Sequence, residues 1–186
     1  MATSMAARRQ SAAPHEEDAR RGALRTWVQL VACTTAIERT VRKRLRERFA
    51  TTLPRFDLLT QLDCAPAGLR MGEISRRMRV TGGNVTGIVA QLVVDGLVER
   101  SVDSVDRRAS VVRLTVRGRE RVRTMTDEHE TWIVEFVEGL SEADRLQLEG
   151  LLGSLEASAN AAGTERATRA PAPAFVLRLA EISARP

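Results

Sequence analysis

Asn84, Gly87 and Gln91 recur at three- and four-residue spacing, so on a helix they form one polar stripe. A side-chain amide carries a donor beside an acceptor, the pair that matches the major-groove edge of adenine in duplex DNA. Gly82, Gly83 and Gly87 crowd the first two turns of the same segment. Each costs about 1 kcal/mol relative to alanine inside a helix, and a helix that accepts this cost does so where its backbone must approach something closely. Behind the stripe, Val85, Ile88, Val89, Leu92 and Val93 repeat as an apolar face. The pattern predicts a recognition helix with Thr81 as its N-cap, Gly96 as its terminator and Leu97 folding back as the hydrophobic contact. Thr81, Gly82, Gly83, Asn84, Thr86, Gly87 and Gln91 are its expected DNA contacts.

Arginines supply the second chemistry, charged forks for phosphate oxygens. Arg76 and Arg77 precede the recognition helix, and Arg100 and Arg113 lie in extended segments after it. Arg107 and Arg108 fall in the polar stretch between those segments. Arg76 and Arg77 are adjacent and cannot face the same way, so one of them can be a surface charge only. A hairpin tip fits the ~6 Å minor groove, where arginine is favoured by the enhanced negative potential.

These residues need a frame. A long helical pattern covers Ala23 to Phe49 through Trp27, Leu30, Val31, Thr34, Ile37, Val41 and Leu45. Its basic end also suits the helix macrodipole, without DNA. Pro54 reads as the N1 residue of a second helix reaching about Cys64. Ala65-Pro66-Ala67-Gly68 reads as a loop, and Met71 to Met78 as a short helix with Met71, Ile74 and Met78 inward. Val98–Val102 and Ala109–Thr115 read as a hairpin. Thr115 can cap a fifth helix with Val122, Met125, His129, Trp132, Ile133 and Phe136 on one side. Ser141-Glu142-Ala143-Asp144 resembles a capping box opening a sixth, through Leu146, Leu148, Leu151, Leu152 and Leu155. Residues 1–21 are small and polar and read as a mobile N-terminal arm, and residues 158–186 as a flexible C-terminal tail.

The 186 residues suffice for one domain with a core, and 43% hydrophobic content excludes disorder throughout. A net charge of +5 favours an anionic partner, although Lys43 is the only lysine, so the placement of arginines carries more weight than their number. Aromatics are scarce and tyrosine is absent, which argues against single-strand or RNA binding by base stacking. Cys33 and Cys64 show no metal-ligand spacing and are expected as buried apolar thiols in a reducing cytosol. No signal peptide or membrane-spanning stretch is recognisable, so a cytoplasmic location is expected. No cofactor or metal is expected. An enzyme finds little support: there is no P-loop or nucleophile elbow, and the only imidazoles are His15 and His129.

A short helix, a tight turn, an amide-bearing helix and an arginine-tipped hairpin follow in the order of a winged helix-turn-helix. Here the chain resembles the MarR (multiple antibiotic resistance regulator) family. Asp106, Arg108, Val112, Leu114 and Thr115 fit its wing signature Asp-x-Arg-x-x-x-Val-x-Leu-Thr. Gly96-Leu97-Val98-Glu99-Arg100 and Leu114-Thr115-x-x-Gly118 fit as well, and the resemblance spans roughly Leu24 to Leu155.

The resemblance implies a mainly α fold of six helices and a β-hairpin wing. A winged helix-turn-helix lobe would occupy about 53–115 and a helical dimerisation lobe about 22–49 and 116–157. It also implies that Asp106 forms an ion pair holding the wing arginine, while Arg107 or Arg108 reaches the groove. The first, fifth and sixth helices carry wide apolar faces, which pairing across a two-fold axis would bury. A homodimer places two recognition helices one DNA turn apart, ~34–36 Å, on a palindromic operator. The family's usual mode is repression relieved by a small aromatic acid, phenol or aryl-CoA thioester. Candidate ligand contacts are Trp27, Arg39, Arg55, His129 and Trp132, although helical core stripes also explain both tryptophans and His129. Two other readings stand beside this one: an architectural DNA-binding protein of low specificity, and a redox sensor using a cysteine.

Overall fold

The computed structural model describes residues 14–78, 82–102 and 110–163. Among them six helices and three strands follow in the order α1 (Pro14–Phe49), α2 (Leu53–Asp63), β1 (Leu69–Arg70), α3 (Met71–Met78), α4 (Gly82–Val94), β2 (Val98–Val102), β3 (Ser110–Leu114), α5 (Val116–Val137) and α6 (Glu142–Gly163). The chain divides into two units, one up to Lys43 and one from Arg44 onward.

The first unit is helical from Pro14, inside the stretch expected to be arm. Glu16 and Glu17 in its first turn complement the dipole. Glu17–Arg21 and Glu38–Arg42 are ion pairs with the carboxylate N-terminal, the favoured helical order. Trp27, Val28 and Val31 are exposed, and so is Cys33, contrary to the expected buried thiol.

In the second unit, α2 packs against α5, α3, α4 and β3. Thr52 stands at the N-cap of α2, so Pro54 occupies the second helical position rather than the first. A proline is tolerated there because first-turn N–H groups lack helical acceptors anyway. Phe56, Leu58, Leu59 and Leu62 of α2 meet Leu45, Ile74, Val85, Leu92, Val112, Val122, Met125 and Trp132 in a core where each is at most 2% exposed. Each such side chain contributes about 1.5–3 kcal/mol by leaving water. Cys64, at the C-cap of α2, is exposed, again unlike the expectation.

The sheet runs β1-β3-β2, antiparallel throughout. Leu69 and Arg70, which the sequence assigns neither to the loop before them nor to the helix after them, form β1 by pairing with Val112 and Val111. Arg113, the alternative to Arg100 as a phosphate contact, is engaged within the fold: its Nε donates to the Ala67 carbonyl (2.9 Å) and its Nη1 to Ser101 Oγ (2.8 Å).

The fifth helix is capped as expected, by Thr115 Oγ1 accepting from the Gly118 N–H at 2.9 Å. The same hydroxyl donates to the Gly96 carbonyl at 2.8 Å, fastening the start of α5 to the end of α4. Gly118 completes the junction, because a Cβ there would lie 1.9 Å from the Leu97 carbonyl oxygen. Thus the spaced residues Gly96, Leu97, Thr115 and Gly118 form one joint beneath the hairpin. Ser141 caps α6 by accepting from Asp144 N–H at 3.2 Å while its hydroxyl donates to the Asp144 carboxylate. α6 then continues to Gly163, past the expected start of the flexible tail at 158.

Candidate nucleic-acid interface

Helix α4, the expected recognition helix, is set by its two faces and its C-terminus. Val85, Ile88, Val89 and Leu92 are buried, whereas Val93, expected among them, is 41% exposed. Gly96 takes a left-handed conformation at φ 67°. Its N–H donates to the Val93 carbonyl (2.9 Å) and the Leu97 N–H to the Leu92 carbonyl (3.0 Å). This double bond pattern satisfies carbonyls that a helix end otherwise leaves open, and it fixes where α4 stops.

On the opposite side, Gly82, Gly83, Asn84, Thr86, Gly87 and Gln91 are all exposed. Among the described residues, a Cβ placed on Gly82, Gly83 or Gly87 would meet nothing within 4 Å beyond its chain neighbours and its own helix backbone. Packing among the described residues therefore gives no reason for glycine at these positions. Thr86 Oγ1 donates to the Gly82 carbonyl at 2.9 Å, which spends its proton inside the helix and leaves its lone pairs outward. Ala90 continues the exposed stripe one turn past Gly87. It carries no polar atom and was therefore missed in the sequence, yet its methyl is the type of group that contacts the thymine methyl.

Among the expected phosphate contacts, Arg76 on α3 and Arg100 on β2 are exposed. Arg77 is half-buried and its Nη2 donates to Glu73 at 2.5 Å, so of the adjacent pair it is Arg77 that is held within the helix. Arg76, Arg100 and Arg70 line one cleft of about 700 Å³ together with Met71, Glu73 and Ser110. Thr81, Asp106, Arg107 and Arg108 lie outside the described residues, as do residues 1–13 and 164–186.

The candidate effector residues are shared between the two units. Trp27 and Arg39 are exposed on the first unit. His129 and Trp132 are 2% and 1% exposed in the core of the second. Their rings meet edge-on at 6.1 Å, and His129 also packs at 5.3 Å from Phe56. Burial pushes the His129 pKa down to about 4, so at neutral pH it is an uncharged core ring and no cation for a carboxylate. Trp132 is further covered by Arg44, whose guanidinium stacks 5.6 Å from the ring centroid and pairs with Glu135 at 2.6 Å. Arg55 borders a cavity of about 640 Å³ lined also by Phe49, Asp95, Arg117, Glu120 and Arg121. Arg121 stacks 5.1 Å from the Phe49 ring centroid and donates to the Phe49 carbonyl at 2.6 Å. Asp57, near Arg55 on α2, has its pKa pushed up to about 6 by burial, partly offset by a hydrogen bond with Gln61. Among the described residues, no group of three or more His, Cys, Asp or Glu could hold a metal ion, and no helix is long and apolar enough to cross a membrane.

Comparison with known proteins points to the same arrangement. The MarR family model matches residues 51–110, from the turn before α2 to the start of β3. Over 106 residues the chain is 29% identical to YdgJ of Bacillus subtilis, an uncharacterized HTH-type transcriptional regulator, covering 57% of this chain and 64% of YdgJ. Over 98 residues it is 28% identical to YetL of the same organism, an HTH-type transcriptional repressor, covering 53% of this chain and 59% of YetL. The chain thus spans less than two thirds of the length of either of these curated relatives. In fold it is similar to the MepR–DNA complex of S. aureus, with a TM-score of 0.61 and 23% identity over 70% of this chain and 96% of that one. With a two-helix unit, a Schellman-capped α4 and the strands that follow in the order that the family model matches, the chain is similar to the MarR family over residues 51–110.

Proposed function

We propose that the chain is a sequence-specific, double-stranded-DNA-binding transcriptional regulator that acts as a homodimeric repressor released by a small aromatic ligand. The observation that carries this reading is the outer face of α4. Amides and open glycines occupy a face that the fold does not use, at a cost in helix stability. Major-groove reading gives that face a purpose, with Asn84 and Gln91 on base edges and Gly83 and Gly87 allowing close backbone approach. The fold shared with a MepR–DNA complex and the similarity to the repressor YetL support it.

The homodimer is supported by α6, where Leu146, Leu148, Leu151, Leu152 and Leu155 are between 42% and 63% exposed within a single chain. A second copy that covers this stripe removes it from water and sets two recognition helices on a palindromic operator. The effector reading draws on the cavity beside Phe49, where Arg55, Arg117 and Arg121 offer cations next to an aromatic wall. An aryl carboxylate or the anionic end of an aryl thioester suits such a lining.

Gel-shift titration on the promoter DNA flanking this gene, with a panel of aromatic acids, phenols and aryl-CoA thioesters, tests all three parts. Tight binding to one duplex over random DNA, and release by one compound class, is the expected result. Equal affinity for any duplex would instead identify an architectural protein. Asn84→Ala should lower operator affinity while leaving random-DNA affinity in place, and equal losses on both would remove its base-reading role. Light scattering at micromolar concentration should give a dimer mass.

A further inference from the structure

The C-terminal end of α4 carries a charge that its own helix disfavours. Partial negative charge gathers at a helix C-terminus and favours cations there. Yet the last turn of α4 has no basic residue, and Asp95 follows it directly. The Asp95 N–H donates to the Gln91 carbonyl at 3.0 Å, so its backbone belongs to the helix end. Its carboxylate is met from another element, by Nη2 of Arg55 on α2. That match is incomplete. Neighbouring N–H groups of a guanidinium can hold both oxygens of a carboxylate, whereas Arg55 Nε is buried and has no hydrogen-bond partner. Both residues line the cavity beside Phe49, and Arg117 adds a cation that forms no ion pair among the described residues. A Cβ on Gly96 would stand 3.9 Å from Arg117 Nη1, so this cation lies against the same helix end.

We propose that Asp95 holds the place of an effector carboxylate on Arg55, and that an aryl carboxylate enters the cavity by exchange with it. The proposal rests on the effector reading above and names the contact through which the ligand acts. A ligand carboxylate laid across Nε and Nη2 satisfies the orphaned N–H, which Asp95 does not. Phe49 gives its ring an apolar wall. Asp95 is then left unpaired at the negative end of α4, with a second anion beside it. The tie between α2 and α4 is lost and the end of α4 is destabilised. On the DNA-binding reading, ligand and operator oppose each other through this one side chain, and their coupling is reciprocal.

The test is calorimetric titration of the full chain with benzoate, phenylacetate and cinnamate, each beside its amide. The parent should bind a carboxylate and not the matching amide. Asp95→Asn keeps the shape of the side chain and removes the competing charge, so it should bind that carboxylate about two- to five-fold more tightly. Arg55→Gln should bind it about ten-fold more weakly or worse. In anisotropy titrations on the promoter duplex flanking this gene, ligand-free Asp95→Asn should bind about two- to five-fold more weakly than the parent. The carboxylate should then weaken the variant less than it weakens the parent. If a carboxylate binds and releases the parent while Asp95→Asn matches it in either titration, the exchange is wrong and the effector reading stands. If none of the carboxylates binds the parent, the effector reading of this cavity falls and the exchange with it.

Discussion

Arg55 in the first turn of α2 forms an ion pair with Asp95, the residue at the C-terminal edge of α4. The pair ties the N-terminus of α2 to the end of α4, on the rim of the cavity that Arg117 and Arg121 also line. The arginine side chain is 18% exposed and the aspartate 44%, so solvent screens the attraction only in part. A double-mutant cycle of Arg55→Ala and Asp95→Ala by urea unfolding should give a coupling of about 0.5–1 kcal/mol. Zero coupling would show that the two side chains part in solution.

Gly118 predicts a larger effect. Gly118→Ala sets a Cβ against the Leu97 carbonyl oxygen, which belongs to backbone and cannot swing aside. The joint between α4, the hairpin and α5 must then open, at a cost of about 3 kcal/mol. Thermal melting should show a loss of well over 5 °C, and a variant as stable as the parent would contradict the geometry.

The end of α1 offers the opposite change. Ala50 sits in the left-handed region at φ 48°, with its N–H donating to the Arg46 carbonyl at 3.1 Å. Helices commonly end on such a residue, and glycine adopts it without a Cβ penalty. Ala50→Gly should therefore stabilise the fold by about 0.5–1 kcal/mol, measured as a raised urea midpoint at unchanged m-value.

Asp57 and His129 predict opposite pH effects. Asp57 rises from 3.8 to about 6 in the folded chain, so the native state holds more protons than the unfolded state between those values. Its contribution to stability is full below pH 4 and declines as pH rises through 6. His129 falls from 6.5 to about 4, so its contribution is full above pH 6.5 and declines as pH falls towards 4. Asp57→Asn should accordingly gain stability over the parent as pH is raised from 4 to 7, in melting curves taken at intervals. A difference that stays constant across that range would place the Asp57 carboxyl near its ordinary value.

The parts legible in the sequence were those with local causes. The short helix Met71–Met78 was bounded by loop residues on either side, and α4 was marked by its apolar period and by Gly96, so both emerged with their limits. Strand β1 was hidden because two residues carry no alternation, and only the distant Val111 and Val112 make them a strand. Arg113 read as a phosphate ligand because a sequence cannot show that Ala67 and Ser101 lie within its reach. His129 and Trp132 read as ligand contacts for a related reason. Periodicity placed them on the apolar side of α5, and only the packing of Phe56 and Arg44 fills the space around them.

The open glycines of α4 set stability and activity against each other. Gly83→Ala and Gly87→Ala have room for the added methyl and should each raise folding stability by about 0.5–1 kcal/mol. On the proposed major-groove role of α4, the same methyls stand between the helix backbone and the bases, so DNA affinity should fall. A laboratory selection that rewards heat resistance alone would therefore drift towards alanine at both positions, yielding sturdier proteins that no longer find their operator.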